Sequence, residues 1–261
     1  MNTDLLHVIE MGQGEPIVFI HGGFDPAEET FREQKELADQ YRVVLVDRRG
    51  YGESPASDRL DFDAQVEDIM RVVGEGAHLV GQSYGGLLCL LAAAAHPRAV
   101  WTLTVIEPIA TSIARDDEAV ERLVARLAPL FPPEAVMSPE QFAAAFYQAL
   151  GFDAPSLELD ERHAAAAATT AREPAPWDAE VPLDRLAAAP FPKLVVSGTW
   201  DIAPPLAREI AGSAFGVICD ILAKKLPAER AIFRGAAHNP QLLGNQFNDR
   251  LRNFFATHSR C

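Results

Sequence analysis

The stretch HLVGQSYGG, residues 78–86, sets a single serine, Ser83, among glycines between two apolar runs. Residues 78–80 are typical of the end of a buried strand, and residues 87–95 form an apolar run typical of a buried helix. A chain that passes from strand to helix within so few residues must turn sharply, and glycines permit the close backbone approach that such a turn needs. The stretch therefore predicts a strand–turn–helix unit with Ser83 exposed at the turn.

Apolar strand runs alternate with helical patterns on both sides of this unit. In the segment 61–73, apolar residues recur three or four positions apart, which indicates an amphipathic helix. Alternation of this kind predicts an α/β protein with a mostly parallel, doubly wound sheet covered on both faces. The strand runs are 16–20, 42–47, 78–80, 100–106, 193–198 and 231–233.

The alternation stops between residues 108 and 189, which are rich in alanine and contain no strand run. Ser138, followed by Pro139 and Gln141, carries the signals of a helix N-terminus. We therefore expect one core built from residues 1–107 and 190–261, with residues 108–189 inserted as a helical cap.

Composition narrows the classes of partner. The chain has 261 residues and 23 basic against 37 acidic side chains, a formal net charge of −14, which argues against binding to nucleic acid or to an anionic membrane surface. The first residues lack a basic, apolar leader pattern, and the 3 cysteines lack paired spacing. We expect a cytoplasmic protein with reduced thiols, no cofactor and no metal. Composition leaves the oligomeric state open.

Polar residues follow several of the predicted strands. HGG at 21–23, Ser83, Asp201 and His238 each come at or just after the end of a strand run. Because the carboxyl ends of parallel strands share one edge of the sheet, where ligands bind in open α/β folds, these residues should meet in space.

The stretch GQSYG, residues 81–85, resembles the G-x-S-x-G nucleophile elbow of the α/β-hydrolase superfamily, and the chain order Ser, Asp, His is also the order of that family. HGG at 21–23 is similar to the family's oxyanion loop and RGYGES at 49–54 to its R-G-x-G-x-S turn. GTWD at 198–201 resembles the acid turn and GAAH at 235–238 the histidine loop. The resemblance covers almost the whole chain and implies the same fold.

The resemblance implies a role for each residue. Ser83 would be the nucleophile, His238 the base that takes its proton, and Asp201 the acid that orients the imidazole. Glu107, just past the strand that follows the elbow helix, is the alternative acid, because some family members carry their acid there.

A further implied feature is a set of backbone donors for the oxyanion. The N–H of Tyr84, just after the nucleophile, is one expected donor, and the N–H of Gly23 or Phe24 is the second. Asp25 stands where many relatives carry Pro-Gly, and this departure leaves the choice between Gly23 and Phe24 open.

Serine at the elbow argues against the dehalogenase and epoxide hydrolase branches, which carry aspartate there. Carboxylesterases, lactonases, C–C bond hydrolases, amidases and perhydrolases remain compatible with the motifs, since fold alone does not choose among them. We predict a serine hydrolase acting through an acyl-enzyme on a small-molecule substrate, a small or medium hydrophobic ester or related acyl or C–C bond. The alternatives are an enzyme that does not use Ser83 as a nucleophile and a receptor-like binding protein on the same scaffold.

Overall fold

A single seven-stranded sheet forms the centre of the molecule. The computed structural model describes residues 5–131, 137–154 and 158–258. The strand order is β1-β3-β2-β4-β5-β6-β7. The strands are β1 (Val8–Met11), β2 (Pro16–Ile20), β3 (Arg42–Val46), β4 (Ala77–Gln82), β5 (Val100–Ile106), β6 (Lys193–Gly198) and β7 (Glu229–Phe233).

Every neighbouring pair is parallel except β1 with β3. The predicted α/β class and mostly parallel sheet are therefore confirmed, and β2, β5 and β6 have the predicted bounds. The sequence reasoning missed β1, a four-residue antiparallel edge strand whose side chains are only partly buried. The parallel arrangement brings the carboxyl ends of β2, β4, β5, β6 and β7 to one edge of the sheet.

Helices cover both faces of the sheet. The larger apolar cluster lies between one face and the helices α2 (Phe62–Val73), α3 (Ser83–Ala95) and α9 (Ser213–Lys225). The smaller cluster joins the other face to α10 (Asn245–Thr257) through Phe247, Leu251 and Phe254. The connection between β2 and β3 contains the four-residue α1 (Ala27–Thr30) and a 3-10 helix, Arg32–Asp39.

The segment between β5 and β6 is helical, as its composition predicts. It contains α4 (Glu118–Leu127), α5 (Pro139–Ala149), α6 (Glu161–Thr170) and α7 (Leu183–Ala188). Helix α5 begins with the predicted capping box, in which the Ser138 hydroxyl accepts from the Gln141 N–H and the Gln141 side chain accepts from the Ser138 N–H. Helix α7 packs against α3 of the core. The exact limits of the cap, 108–189, stay a prediction.

A short helix, α8 (Pro205–Ala207), precedes one π-helical turn, Arg208–Gly212, and then α9. None of the helices in the described part of the chain is long and apolar enough to cross a membrane.

Candidate active site

Ser83 stands at the junction of β4 and α3, with a backbone φ of 54°. Residues with side chains rarely adopt this left-handed conformation, and it belongs to the sharp strand-to-helix turn that the sequence predicts. The neighbouring glycines are required by close approach. A Cβ at Gly85 would lie 2.3 Å from the carbonyl oxygens of Ile20 and His21, and one at Gly81 would lie 2.6 Å from Cys89 Sγ. The backbone of the elbow thus lies in close contact with the end of β2 and with α3, the helix that follows it.

The side chains of Glu107 and His238 contact each other in the site. His238 Nδ1 lies 3.1 Å from Glu107 Oε2. The Glu107 side chain is completely buried, whereas that of His238 is 22% exposed. Glu107 Oε1 also accepts hydrogen bonds from the Gly198 N–H at 2.9 Å and from Trp200 Nε1–H at 3.0 Å. The carboxylate is therefore compensated by several donors and fixed in direction, which a buried charge requires.

Asp201, the first sequence choice for the acid, lies elsewhere and is exposed. Its Oδ1 accepts from the Thr199 hydroxyl and, at 3.1 Å, from the Gly235 N–H. These bonds tie the loop after β6 to the loop after β7. The expected pairing of Asp201 with His238 is corrected by this geometry: the loop turns the Asp201 side chain toward solvent, and the alternative residue, Glu107, contacts the imidazole.

The loop after β2 contains both candidate second oxyanion donors. Gly23 and Phe24 line the same cavity as Ser83 and Tyr84. The Phe24 N–H points to Thr170 Oγ1, at 3.3 Å. Tyr84 is the second residue of α3, where helical N–H groups have no partner within the helix. The geometry thus favours the Gly23 N–H over the Phe24 N–H as the second oxyanion donor, beside the Tyr84 N–H.

A cavity of about 470 Å³ lies over Ser83. Its size is within the range of small-molecule sites. Helices α4 and α5 and the loops around them supply most of its apolar wall, and Ser83 and His238 both line it. The main apolar residues are Phe24, Ile109, Leu127, Phe131, Phe146, Leu150, Phe152, Phe215, Leu242 and Leu243. Trp177 packs against Phe131, one of these residues.

Four residues other than glycine in the described part of the chain have a positive φ: Phe24 at 69°, Ser83 at 54°, Glu107 at 44° and Trp200 at 57°. They follow β2, β4, β5 and β6, and each belongs to the site or to its immediate support. Such backbone strain costs about 1–3 kcal/mol for each residue and concentrates at functional sites.

Three supporting residues were not found from the sequence: Trp200, Thr170 and Glu173. Trp200 donates to Glu107. Thr170 is the last residue of α6, Glu173 follows that helix, and both line the cavity. No local motif marks them. The one available signal was the position of Trp200 inside the GTWD turn, next to the residue chosen as the acid.

The core and α6 also meet through charged residues at the rim of the cavity. Glu29 Oε2 lies 3.1 Å from His163 Nε2, and Asp25 Oδ1 lies 3.9 Å from the same nitrogen. Possible ligand atoms of these residues lie within 4.8 Å of one another. Their contacts amount to an ion-pair cluster that links α6 to α1 and the loop before it. The expectation that the protein uses no metal and no cofactor stays a prediction.

Comparison with known proteins adds to this geometry. Residues 17–250 match the sequence model of the alpha/beta hydrolase family. A pimeloyl-(acyl-carrier protein) methyl ester esterase of Shewanella woodyi is 31% identical over 146 residues, 56% of this chain and 52% of that protein. Epoxide hydrolase 4 of Mus musculus is 35% identical over 109 residues, 38% of this chain and 30% of that protein. The chain thus spans about half or less of the length of these curated relatives.

Two solved structures have the same overall fold. An alpha/beta hydrolase from Sphaerobacter thermophilus superposes with a TM-score of 0.69 at 23% identity, covering 96% of both chains. MenH from S. aureus superposes with a TM-score of 0.73 at 19% identity, covering 98% of this chain and 100% of that one.

Proposed function

The chain belongs to the alpha/beta hydrolase family, and from this premise we propose that it is a serine hydrolase of small or medium-sized hydrophobic esters. The observation that carries the proposal is the His238–Glu107 hydrogen bond at 3.1 Å, together with an apolar cavity that both His238 and the strained Ser83 line. A serine hydroxyl is a weak nucleophile at neutral pH and needs a base that a third group orients. Ser83, His238 and Glu107 have the chemistry for these roles.

Acyl transfer would begin at Ser83. Its Oγ attacks the ester carbonyl carbon while His238 Nε2 takes the hydroxyl proton. The Glu107 carboxylate accepts the Nδ1–H of His238, which keeps Nε2 available as the base and stabilises the imidazolium. When the tetrahedral intermediate collapses, the C–O bond of the ester breaks and the alcohol leaves with the proton from Nε2.

Deacylation repeats the same steps with water. The water gives a proton to His238 Nε2 while its oxygen attacks the acyl carbon, and the bond from that carbon to Ser83 Oγ then breaks. The carboxylic acid is released and the serine recovers its proton. The N–H groups of Tyr84 and Gly23 would stabilise the oxyanion in both halves, and loss of one such donor typically costs about 10²–10³-fold in rate.

The cavity supports an uncharged, hydrophobic substrate. Among the described residues that line it, none is a lysine or an arginine, and the carboxylates of Asp25 and Glu173 are present. Such a wall offers no counter-ion to a carboxylate on the substrate. The relatives are named for different activities, ester hydrolysis and epoxide hydrolysis, and serine at the elbow favours ester hydrolysis.

The first experiment is intact-mass measurement after exposure to a fluorophosphonate, on the wild type and on Ser83→Ala. We expect one adduct on the wild type and none on the variant, together with a loss of at least about 10³-fold in kcat for p-nitrophenyl hexanoate. Absence of an adduct on folded wild type would contradict the proposal. Full ester turnover by Ser83→Ala would point to an enzyme without a serine nucleophile, and tight ligand binding without turnover to a receptor.

A further inference from the structure

Arg48 lies buried behind the oxyanion loop, with a side chain only 3% exposed. Its Nε–H donates to the His21 carbonyl oxygen at 3.0 Å, and one terminal nitrogen, Nη2, donates to the Gly22 carbonyl oxygen at 2.6 Å. The other, Nη1, donates to Gln65 Oε1 at 2.7 Å and to Glu173. A second bond from Nη2 reaches Glu173 Oε2 at 3.5 Å. The five donors of this guanidinium therefore all have acceptors.

Two of these acceptors are consecutive carbonyl groups of the HGGF loop, so Arg48 fixes the direction of its peptide planes. The Gly22 carbonyl oxygen receives a second bond from His21 Nδ1 at 2.8 Å. In a planar trans peptide, this carbonyl and the N–H of Gly23 point in opposite directions. A Gly22 carbonyl held on Arg48 and His21 therefore turns the Gly23 N–H away from them. Ser83 is close, because a Cβ on Gly22 would lie 2.8 Å from Ser83 Cβ.

His21 contributes as a neutral ring. Its Nε2 accepts the backbone N–H of Arg48 at 3.0 Å, so Nδ1 carries the proton that bonds Gly22. Complete burial, and next the Arg48 charge, hold the pKa of His21 well below its usual value. The loop is thus braced by one cation and one neutral imidazole.

The counter-ion of Arg48 is Glu173, which belongs to the helical segment inserted between β5 and β6, here called the insertion. Glu173 lies shortly after α6, and its side chain is 1% exposed. Its Oε2 also accepts from the Tyr51 hydroxyl at 2.8 Å, and this hydroxyl contacts Thr170 Oγ1 at 2.9 Å. Removing one partner of a buried ion pair leaves an uncompensated charge and is strongly unfavourable. Arg48 can therefore stay behind the loop only while Glu173 lies against it.

We propose that Arg48 is a positioning residue that aims the Gly23 N–H at the oxyanion, and that Glu173, supplied by the insertion, holds Arg48 in that position. This inference rests on the proposed function. It gives the insertion a role in the chemical step: the segment that covers the substrate also completes the electrostatic support of the oxyanion loop.

The test compares Arg48→Lys with the matched control Arg230→Lys on β7, where Arg230 donates to Asp220, to Ser197 Oγ and to a backbone carbonyl. One ammonium cannot replace the fork that holds both loop carbonyls. For Arg48→Lys we expect kcat on p-nitrophenyl hexanoate to fall about 10–100-fold with KM within about threefold. Ki for an alkyl trifluoromethyl ketone, which forms a tetrahedral oxyanion adduct, should rise by the same factor as kcat/KM falls. The control should change none of these values by more than about twofold.

Glu173→Gln should reproduce the loss in kcat, and Glu173→Asp should recover part of it. If a single variant fails to fold, Arg48→Met combined with Glu173→Met removes both charges together and should fold. Retention of wild-type kcat and Ki by the folded double variant, or a fall in Tm alone, would overturn the inference and leave the serine hydrolase intact. A wild type that neither reacts with fluorophosphonate nor binds the ketone would overturn the proposed function and this inference with it.

Discussion

Two acidic residues, Glu107 after β5 and Asp201 after β6, follow neighbouring strands at the same edge of the sheet and have opposite surroundings. Glu107 is completely buried and contacts His238, whereas Asp201 is exposed and joins two loops. The GTWD turn contains Asp201, which the family pattern suggests as the acid. What the turn contributes to the site is instead a pair of donors that hold Glu107, the Gly198 N–H and Trp200 Nε1–H. A loop can therefore hold the carboxylate that contacts the histidine without supplying it.

The largest effect should come from replacing Glu107. In Glu107→Gln the charge that stabilises the imidazolium is lost, and the amide can hold His238 in the wrong tautomer. We expect kcat on p-nitrophenyl hexanoate to fall about 10³–10⁴-fold, as is typical when the acid of such a triad becomes an amide. Circular dichroism should confirm a folded variant. Activity within tenfold of wild type would remove Glu107 from the site.

An intermediate effect should come from Trp200→Phe. Phenylalanine keeps an aromatic ring in the core, where Trp200 stacks on Phe215. The Nε1–H of Trp200, which bonds both carboxylate oxygens of Glu107, is lost. Weaker orientation of the carboxylate should lower kcat about tenfold with little change in KM. An unchanged kcat would mean that the Gly198 N–H alone is enough to hold Glu107.

The smallest effect should come from Asp201→Asn. The amide oxygen can still accept from Thr199 and Gly235, and no contact with His238 is broken, so kcat should stay within about threefold of wild type. A loss similar to that of Glu107→Gln would reverse the comparison and return the acid role to Asp201.

The same variant has a pH signature. The Thr199 hydroxyl, and then the Gly235 N–H with the nearby Arg234, hold the pKa of Asp201 below its usual value. The charged form thus stabilises the folded state above the pKa of the unfolded chain, about 3.9, and this stability is lost as pH falls through the lower folded value. The Tm of wild type should therefore fall more steeply than that of Asp201→Asn between about pH 5 and pH 2. Parallel curves of Tm against pH for the two proteins would show that the Thr199 and Gly235 contacts do not favour the charged form of Asp201.

Much of the fold could be predicted from sequence because its signals are local. The apolar runs of β2, β5 and β6 and the capping box of α5 are each contained within a few residues. The elbow could also be predicted locally, because Gly81 and Gly85 stand at positions near Ser83 where a Cβ would clash with neighbouring atoms.

The missed features depend on contacts between distant residues. Glu107 and Asp201 both look like acids after strands, and only the assembled sheet buries one and exposes the other. Glu173 meets Arg48 across 125 positions of sequence. The edge strand β1 is short and half-buried, so its alternation is weak, and its pairing with β3 decides its structure.

The four left-handed residues at the sheet edge, Phe24, Ser83, Glu107 and Trp200, bear on how this protein could be engineered. Glycine at Ser83 would relieve the backbone at the loss of one hydroxyl, that of the proposed nucleophile. At Phe24, Glu107 and Trp200 it would also remove aromatic packing or leave buried donors without an acceptor, so strain relief there brings no net gain. Directed evolution for heat resistance alone would thus favour the loss of Ser83, and a library built for thermostability should keep this codon fixed and look for its gains in the surface helices.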